Sequence, residues 1–429
     1  MVMILTDGRD LKGVEHPEDI RYMKYLRFTL KAIGAWPGYM IGQPYGYLFY
    51  SRAFLTFICS TGLASGIIYL YNHVGKVSFF EIGQTYVTVF MTAVGQSRNI
   101  LIWTQKYADN FKEFITKVHL FNHRNRSPYF MKMHLYVHKI SHFFTIYMIG
   151  VMIWGILLFN LIPLQTTITN GGFQRPPPEN VTYELSVYFA TPFEYQHHFK
   201  GYMIMFIYDW SVSYMCSSYF CIFDLYLALM MFHLWGHLKI LIYNMENFPK
   251  PALRNDAKRT LKTYECYTPE EMRGVSDRLN EIVEHHNLIL SYTDDVSQTF
   301  GPVIAVTYAF HQISGCLLLL EVSQGDPKAI IRFGPLTLIL LQLLVQMSVI
   351  FELIGSMTDR LINAAYYLPW QYMDKGNRIA AQMVMRQVQR PLGLKAVGMV
   401  DVGCQTMTTI LKTSFSYFIM LRTMATREE

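Results

Sequence analysis

Two histidine pairs are the first residues whose types and spacing suggest chemistry. His119 and His123 have the i,i+4 spacing that places two imidazoles on one helix face, and His285-His286 follows Glu281 and Glu284 in a stretch that reads as helix. Such groups bind a metal when further ligands complete the set. No third ligand stands at a suitable spacing, so both pairs read as solvated helix faces. Cys59, Cys216, Cys221, Cys316 and Cys404 fall in apolar runs and Cys266 in a polar loop, without zinc or redox spacing. They read as small packing hydrophobes. The sequence has no phosphate-binding glycine loop, nucleophile elbow or zincin motif, so neither enzymatic activity nor a cofactor is expected.

Charged groups inside apolar runs are the next candidates, because an ion at membrane depth is costly and is retained for function. Asp209, Asp224 and Lys412 lie well inside such runs, whereas Arg52, Glu81, Arg98, Glu321 and Glu352 lie near their ends. Snorkelling explains the second set. Lys412 belongs to a run that also holds Gln405, Thr406, Thr408, Thr409, Thr413, Ser414 and Ser416. A helix facing lipid has no use for so many hydroxyls. It is either buried among other helices or lines a water-filled path. At helical spacing, Thr409, Thr413, Ser416 and Met420 form one stripe.

The elements that position these residues follow from composition. The chain has 429 residues, 52% hydrophobic and only 16% charged, against roughly a quarter charged in soluble proteins. Runs long enough to span a bilayer occur near 48–71, 78–103, 136–164, 201–236, 299–321, 335–357 and 399–421. The second and seventh are the least apolar. The fourth is too long for a bilayer and is expected to continue as a helix into water toward Asn247. Gly62-x-x-x-Gly66 permits close helix packing in the first. Residues 1–20 contain no apolar h-region, so no removable signal peptide is expected.

Lysine and arginine are divided unevenly between the two sets of loops, 25 against 7. The basic set belongs to the cytoplasm. The fold class expected is therefore all-α, a seven-transmembrane-helix protein with a cytoplasmic N-terminus and an extracellular C-terminus. Its parts are a cytoplasmic segment at 1–47, helices 1–6 with a ligand pocket at 48–357, a cytoplasmic anchor region at 358–398, and a last helix with a short tail at 399–429. Asn180-Val181-Thr182 is an acceptor for glycosylation on the outer side and Asn125-Arg126-Ser127 a sequon on the inner side. The net charge of +6 reflects this topology, and no nucleic-acid partner is expected.

The outer halves of spans two, three, four and six contain Tyr86, Val89, Phe90, Met148, Met152, Trp154, Tyr202, Phe206, Trp210 and Leu338. Thioether and aromatic groups suit a flexible apolar ligand. Ordinary packing accounts for any one of them; their shared depth is what suggests a pocket.

The C-terminal part resembles a known family. Residues 363–370, Asn-Ala-Ala-Tyr-Tyr-Leu-Pro-Trp, resemble the small-small-Tyr…Trp element of insect odorant receptors, and 408–418 is similar to their final helix with its Ser-Tyr-Phe ending. The stretch from Pro391-Leu392-Gly393-Leu394 to Arg422 is similar to the sex-pheromone receptors of moths. The resemblance implies an odorant-gated, non-selective cation channel in the plasma membrane of olfactory sensory neurons, assembled as a heterotetramer with an olfactory co-receptor. It implies that the last helix lines the pore through Thr409, Lys412, Thr413, Ser416, Met420 and Thr423, and that 366–390 forms a cytoplasmic anchor helix. Met420 departs from the aliphatic residue common at the gate. The expected ligand is a long-chain unsaturated alcohol, aldehyde or acetate, hydrogen-bonded by Tyr86, Tyr202 or Trp210. Two rivals are opposed by the sequence. A G-protein-coupled receptor would invert the charge bias and carry Asp-Arg-Tyr and Asn-Pro-x-x-Tyr motifs, and a transporter would show paired repeats.

Overall fold

The computed structural model describes residues 8–428 except 45, 77–78, 175–177, 179–180, 252–265, 324–326 and 399. Eleven α-helices in the described residues dominate it: α1 (Arg21–Ala32), α2 (Leu48–His73), α3 (Phe79–Ile102), α4 (Gln105–Glu113), α5 (Pro128–Thr169), α6 (Phe199–Glu246), α7 (Pro269–Ser323), α8 (Pro327–Gly355), α9 (Thr358–Tyr366), α10 (Lys375–Gln387) and α11 (Cys404–Glu428). A two-stranded antiparallel ladder, β1 (Lys395–Ala396) with β2 (Val400–Asp401), precedes α11.

Among the described residues, five helical stretches are long and apolar enough to cross a membrane, in α2, α5, α6, α7 and from Gly334 of α8 onward. The hydroxyl-rich α11 and the more polar α3 are not among them. α6 is apolar all round and is the axis of the bundle. It packs against α2, α3, α5, α7 and α8, and from Met215 to Leu234 every side chain except Ser217 is buried, as an all-round apolar helix requires. Glycine allows the tight approaches. A Cβ on Gly66 would lie 2.8 Å from Val89 of α3, and one on Gly315 of α7 would lie 3.2 Å from the Ser414 hydroxyl of α11.

Several helices differ from the sequence expectation for local reasons. α5 begins at Pro128, capped by the Ser127 side chain on the Phe130 N–H. α7 runs from Pro269, about thirty residues before the span expected at 299, and α8 starts before Pro335. α6 does continue to Glu246, but not into water: Leu238, Ile240, Leu241, Ile242 and Met245 are buried, and α1 packs against α6. The anchor stretch 366–390 is not one helix. Pro369 cannot continue α9, and α10 starts afresh where Asp374 caps the Asn377 N–H. The last helix starts at Cys404 rather than 399. Its first free N–H, on Cys404, donates to the Glu352 carboxylate of α8 at 3.1 Å, where the helix dipole favours a negative charge.

The histidines are not solvated faces. His119 is 0% exposed and bonds the Tyr22 hydroxyl at 2.7 Å, and His286 is buried as well. Among the described residues, no group of three side chains suited to hold a metal occurs. All six cysteines are free thiols.

A candidate ligand site within the bundle

A cavity lies between α3, α5, α6 and α8, the helices read above for ligand-lining residues, and mostly other residues line it. Met91 lines it from α3, Met152, Gly155 and Phe159 from α5, Ser217, Phe220 and Cys221 from α6, and Leu336, Ile339, Leu340 and Leu343 from α8. Pro163 and Pro335, both inside helices, also line it. Each lacks the N–H that would bond the preceding turn, which opens the helix wall locally. The Ser217 hydroxyl and the Cys221 thiol are the polar side-chain groups among the lining residues. Such a site takes an apolar ligand with one hydrogen-bonding group.

Of the ten residues named from sequence, Met152 alone lines this cavity. Met148 is buried nearby, its sulfur 3.1 Å from the Gln346 amide. Val89 packs on Gly66, and Tyr86 is half-buried. Phe90 is exposed on the outer surface of the bundle, and Trp154 and Leu338 are 63% and 69% exposed there. Tyr202, Phe206 and Trp210 form a column of successive ring contacts along α6. Phe206 and Trp210 face a groove toward α2, and Tyr202 stacks on Tyr183 at 4.8 Å. One residue along a helix rotates a side chain by about 100°, so depth read from hydropathy does not fix which residues point inward.

A loop packed on α5 and α6, a roof at that end of the bundle, has no counterpart in the sequence reading. In the segment 181–198, Val181, Tyr183, Leu185, Val187, Phe189 and Tyr195 are buried. Ser186 ties it down three ways. Its N–H donates to Asp209 at 2.9 Å, and its hydroxyl donates to the Phe159 carbonyl at 2.8 Å and approaches the Asn160 amide oxygen at 3.3 Å. Phe159 is four residues before Pro163, so its carbonyl lacks a helical N–H partner. Asp209 thus holds the loop.

Arg98 does not snorkel, and neither does Arg52. Arg98 pairs with Asp224 across α3 and α6 at 2.9 Å, and it donates to the Tyr219 and Phe220 carbonyls at 2.6 and 2.8 Å. The Arg52 guanidinium donates to the Gly34 carbonyl at 2.6 Å. Glu81 and Glu321 have side chains outside the described ones, as Asn180 lies outside the described residues.

Two further cavities adjoin the first. The Arg98–Asp224 pair lines one, and another lies between α7, α8 and α11. Leu343 lines the first and second, His311 and Leu344 the second and third, and Leu340 the first and third. The third reaches Ile410, Leu411, Ser414 and Phe415 of α11. On α11 Ile410 and Ser414 are buried against the bundle. Thr409, Lys412, Ser416, Met420 and Thr423 are exposed and Thr413 half-buried, so the six expected pore residues share a face turned largely away from the chain's own bundle.

Comparison with known proteins agrees with this architecture. The family described as 7tm odorant receptor matches residues 78–415. Odorant receptor 85b of Drosophila melanogaster is 27% identical over 152 residues, 35% of this chain and 38% of that protein. Odorant receptor 67a of the same fly is 28% identical over 157 residues, 34% and 36% of the two chains. The alignments thus span little more than a third of these relatives. The insect olfactory receptor OR5 from Machilis hrabei, in a structure with eugenol, superposes with a TM-score of 0.72 over 94% of this chain and 98% of that one, at 14% identity. The same receptor, in a structure described without a ligand, gives 0.73. That likeness is one of fold. The match over most of the chain decides the family: this protein belongs to the 7tm odorant receptor family, a family of multi-pass membrane receptors rather than enzymes.

Proposed function

We propose that the chain is the ligand-binding subunit of an odorant-gated, non-selective cation channel, formed with the olfactory co-receptor in the plasma membrane of olfactory sensory neurons. The observation that carries this reading is the position of Leu340, which lines the apolar cavity on one side and the space against α11 on the other. A ligand filling the first space bears on the helix whose opposite face carries Thr409, Lys412, Thr413, Ser416, Met420 and Thr423. In the assembled channel those residues line the pore. The orientation follows the charge bias: the basic loops are cytoplasmic, the Ser186 roof and Asn180 are extracellular, and Asn180 carries the glycan.

The ligand is a long-chain unsaturated alcohol, aldehyde or acetate, as for a moth sex pheromone. The apolar lining supports this, since each buried methylene contributes about 0.8 kcal/mol. Its polar end pairs with Ser217, because Tyr86, Tyr202 and Trp210 do not line the cavity. Binding opens the channel only as far as it favours the open state. Moving a 1:99 balance to 99:1 takes about 5.5 kcal/mol of differential affinity.

Co-expression with an insect olfactory co-receptor under voltage clamp tests the reading. A rapid cation current evoked by one head-group class, needing both subunits and surviving G-protein block, is expected. A response abolished by that block, or a surface-expressed pair silent to all three ligand classes, overturns it.

A further inference from the structure

The basic end of the bundle carries a groove that the odorant site does not use. It lies between α5 and α6. On α5, Tyr129, Lys132, Tyr136 and Lys139 recur at intervals of three, four and three, so they share one helix face. On α6, Trp235 and Lys239 are one turn apart. The rings form its floor: Tyr136 lies 5.7 Å from Trp235, and the Lys239 ammonium is 5.4 Å from the Trp235 ring centre. At one end Tyr129 stacks on Tyr243 at 3.7 Å.

Charge in the groove is one-sided. Lys132, Lys139 and Lys239 line it and no carboxylate does. Among the described residues none of the three enters an ion pair. Glu246, whose charge reaches Tyr129, is the acidic exception beyond the rim. Three ammonium groups around one concavity repel one another until an anion fills it. One turn further along α5 the sequence becomes apolar, with Phe143, Phe144 and Ile146. Tyrosine and tryptophan at such a boundary mark the headgroup level of a bilayer. Met131 and Leu135 complete the lining with apolar surface. An anion joined to hydrocarbon suits this combination better than a free one, and three ammonium groups suit more than one phosphate.

We propose that this groove binds the headgroup of an anionic phospholipid carrying several phosphates, with the three lysines on the phosphates and the aromatic floor beneath the inositol-like ring and glycerol. The site lies in the cytoplasmic leaflet on the orientation given above, but its chemistry does not depend on odorant activity.

The test uses the full chain, purified in detergent and titrated with fluorescent short-chain phosphatidylinositol bisphosphate. Phosphatidylcholine, phosphatidylserine and free inositol trisphosphate serve as competitors. The expected result is a preference over both other lipids and over the free headgroup. The variant K132Q/K139Q/K239Q should bind about a hundredfold more weakly, on the order of fivefold per lysine. The corresponding arginine triple should retain binding, which separates charge from folding, and K106Q/K112Q/K375Q should leave it unchanged. Equal binding by the groove triple overturns the site. Competition by phosphatidylserine at equal potency overturns the need for several phosphates, and competition by the free headgroup at equal potency overturns the lipid. A chain that binds the lipid yet yields no odorant current sinks the receptor reading and leaves this one standing.

Discussion

Gln312 and Ser414 exchange hydrogen bonds in both directions. The Gln312 amide donates to the Ser414 hydroxyl oxygen at 3.2 Å, and that hydroxyl donates to the Gln312 carbonyl, also at 3.2 Å. The Cys316 thiol donates to the Ser414 carbonyl at 3.5 Å, and Gly315 leaves room for the contact. This seam sets the rotation of α11 about its axis, and so which of its residues face outward.

Ser414→Ala removes both side-chain bonds while keeping the helix. Each is worth about 0.5–1.5 kcal/mol. If α11 turns or shifts on gating, the half-maximal ligand concentration moves by about two- to tenfold. The rank order of ligands stays the same, because Ser414 does not line the α5–α8 cavity. Concentration–response curves for three ligands check this. A reordered ligand series would place Ser414 at the binding site instead.

Gly155 offers a cleaner probe of the cavity. It lines the wall, and a Cβ added there meets nothing within 4 Å. Gly155→Val therefore fills space without strain, and the longest ligand that still fits loses about two methylenes of chain. At about 0.8 kcal/mol for each methylene displaced, affinity for it falls by roughly tenfold or more while a shorter homologue is spared. Currents across a homologous series of chain lengths measure this. A uniform loss at every length would show that the wall had collapsed.

These two residues show what was legible in sequence and what was not. Composition and the charge bias point to a helical membrane protein, and the residues around Tyr366 and Ser416 to its family. The helices read for ligand-lining residues are those around the cavity. The inward register was not, since hydropathy at positions such as Trp154 and Leu338 is the same whether a helix faces lipid or protein. Buried polar anchors were misread for a related reason. The sequence reads Arg98 as snorkelling near a span end and His119 as part of a solvated helix face, and only the tertiary structure supplies Asp224 and Tyr22 as their partners. Pro163, within one apolar run, and Pro335, at the start of another, were the available signal for an opened helix wall.

One hydroxyl supplies part of the roof's anchorage. Ser186→Ala leaves the Phe159 carbonyl, already deprived of a helical partner by Pro163, without its bond at 2.8 Å. An unmet buried acceptor costs about 1–3 kcal/mol. The roof should open more often, and current should decay several-fold faster after ligand washout with peak selectivity unchanged. Deactivation kinetics at saturating ligand give the answer; unaltered decay would mean that the roof does not gate escape.

Acid should loosen the basic end of the bundle. Burial holds His119 well below its ordinary 6.5, with smaller contributions from His134, His138 and His123, and burial also lowers His123. Tyr22 and His233 face His119 directly, and Asp10 faces His138. In the unfolded chain these imidazoles take up protons near 6.5, so below that pH the unfolded state binds more protons than the folded one. Stability is complete above 6.5 and falls as the pH drops through it. The melting temperature of the solubilised protein should therefore decline between pH 7.5 and 5.5. Y22F/H119F should flatten that decline. A melting temperature constant across the window would show that the cluster is already hydrated.

The Arg98–Asp224 pair provides the sharpest test of the interior. Both side chains are almost fully buried, and the guanidinium also satisfies two carbonyls of α6. Removing one ion strands the other in a low-dielectric interior, which costs about 3–5 kcal/mol. Replacing both ions with apolar groups of similar volume is close to neutral by the same physics. Asp224→Leu should therefore abolish surface expression, and R98M/D224L should restore much of it. If the pair only holds α3 to α6, the double variant will also respond to ligand as the native chain does. If the charges themselves matter to gating, through the cavity they share with His311 and Leu344, the double variant will reach the surface and stay silent. Surface biotinylation measured beside ligand-evoked current separates these outcomes, and a single Asp224→Leu variant that traffics normally would refute the buried pair altogether.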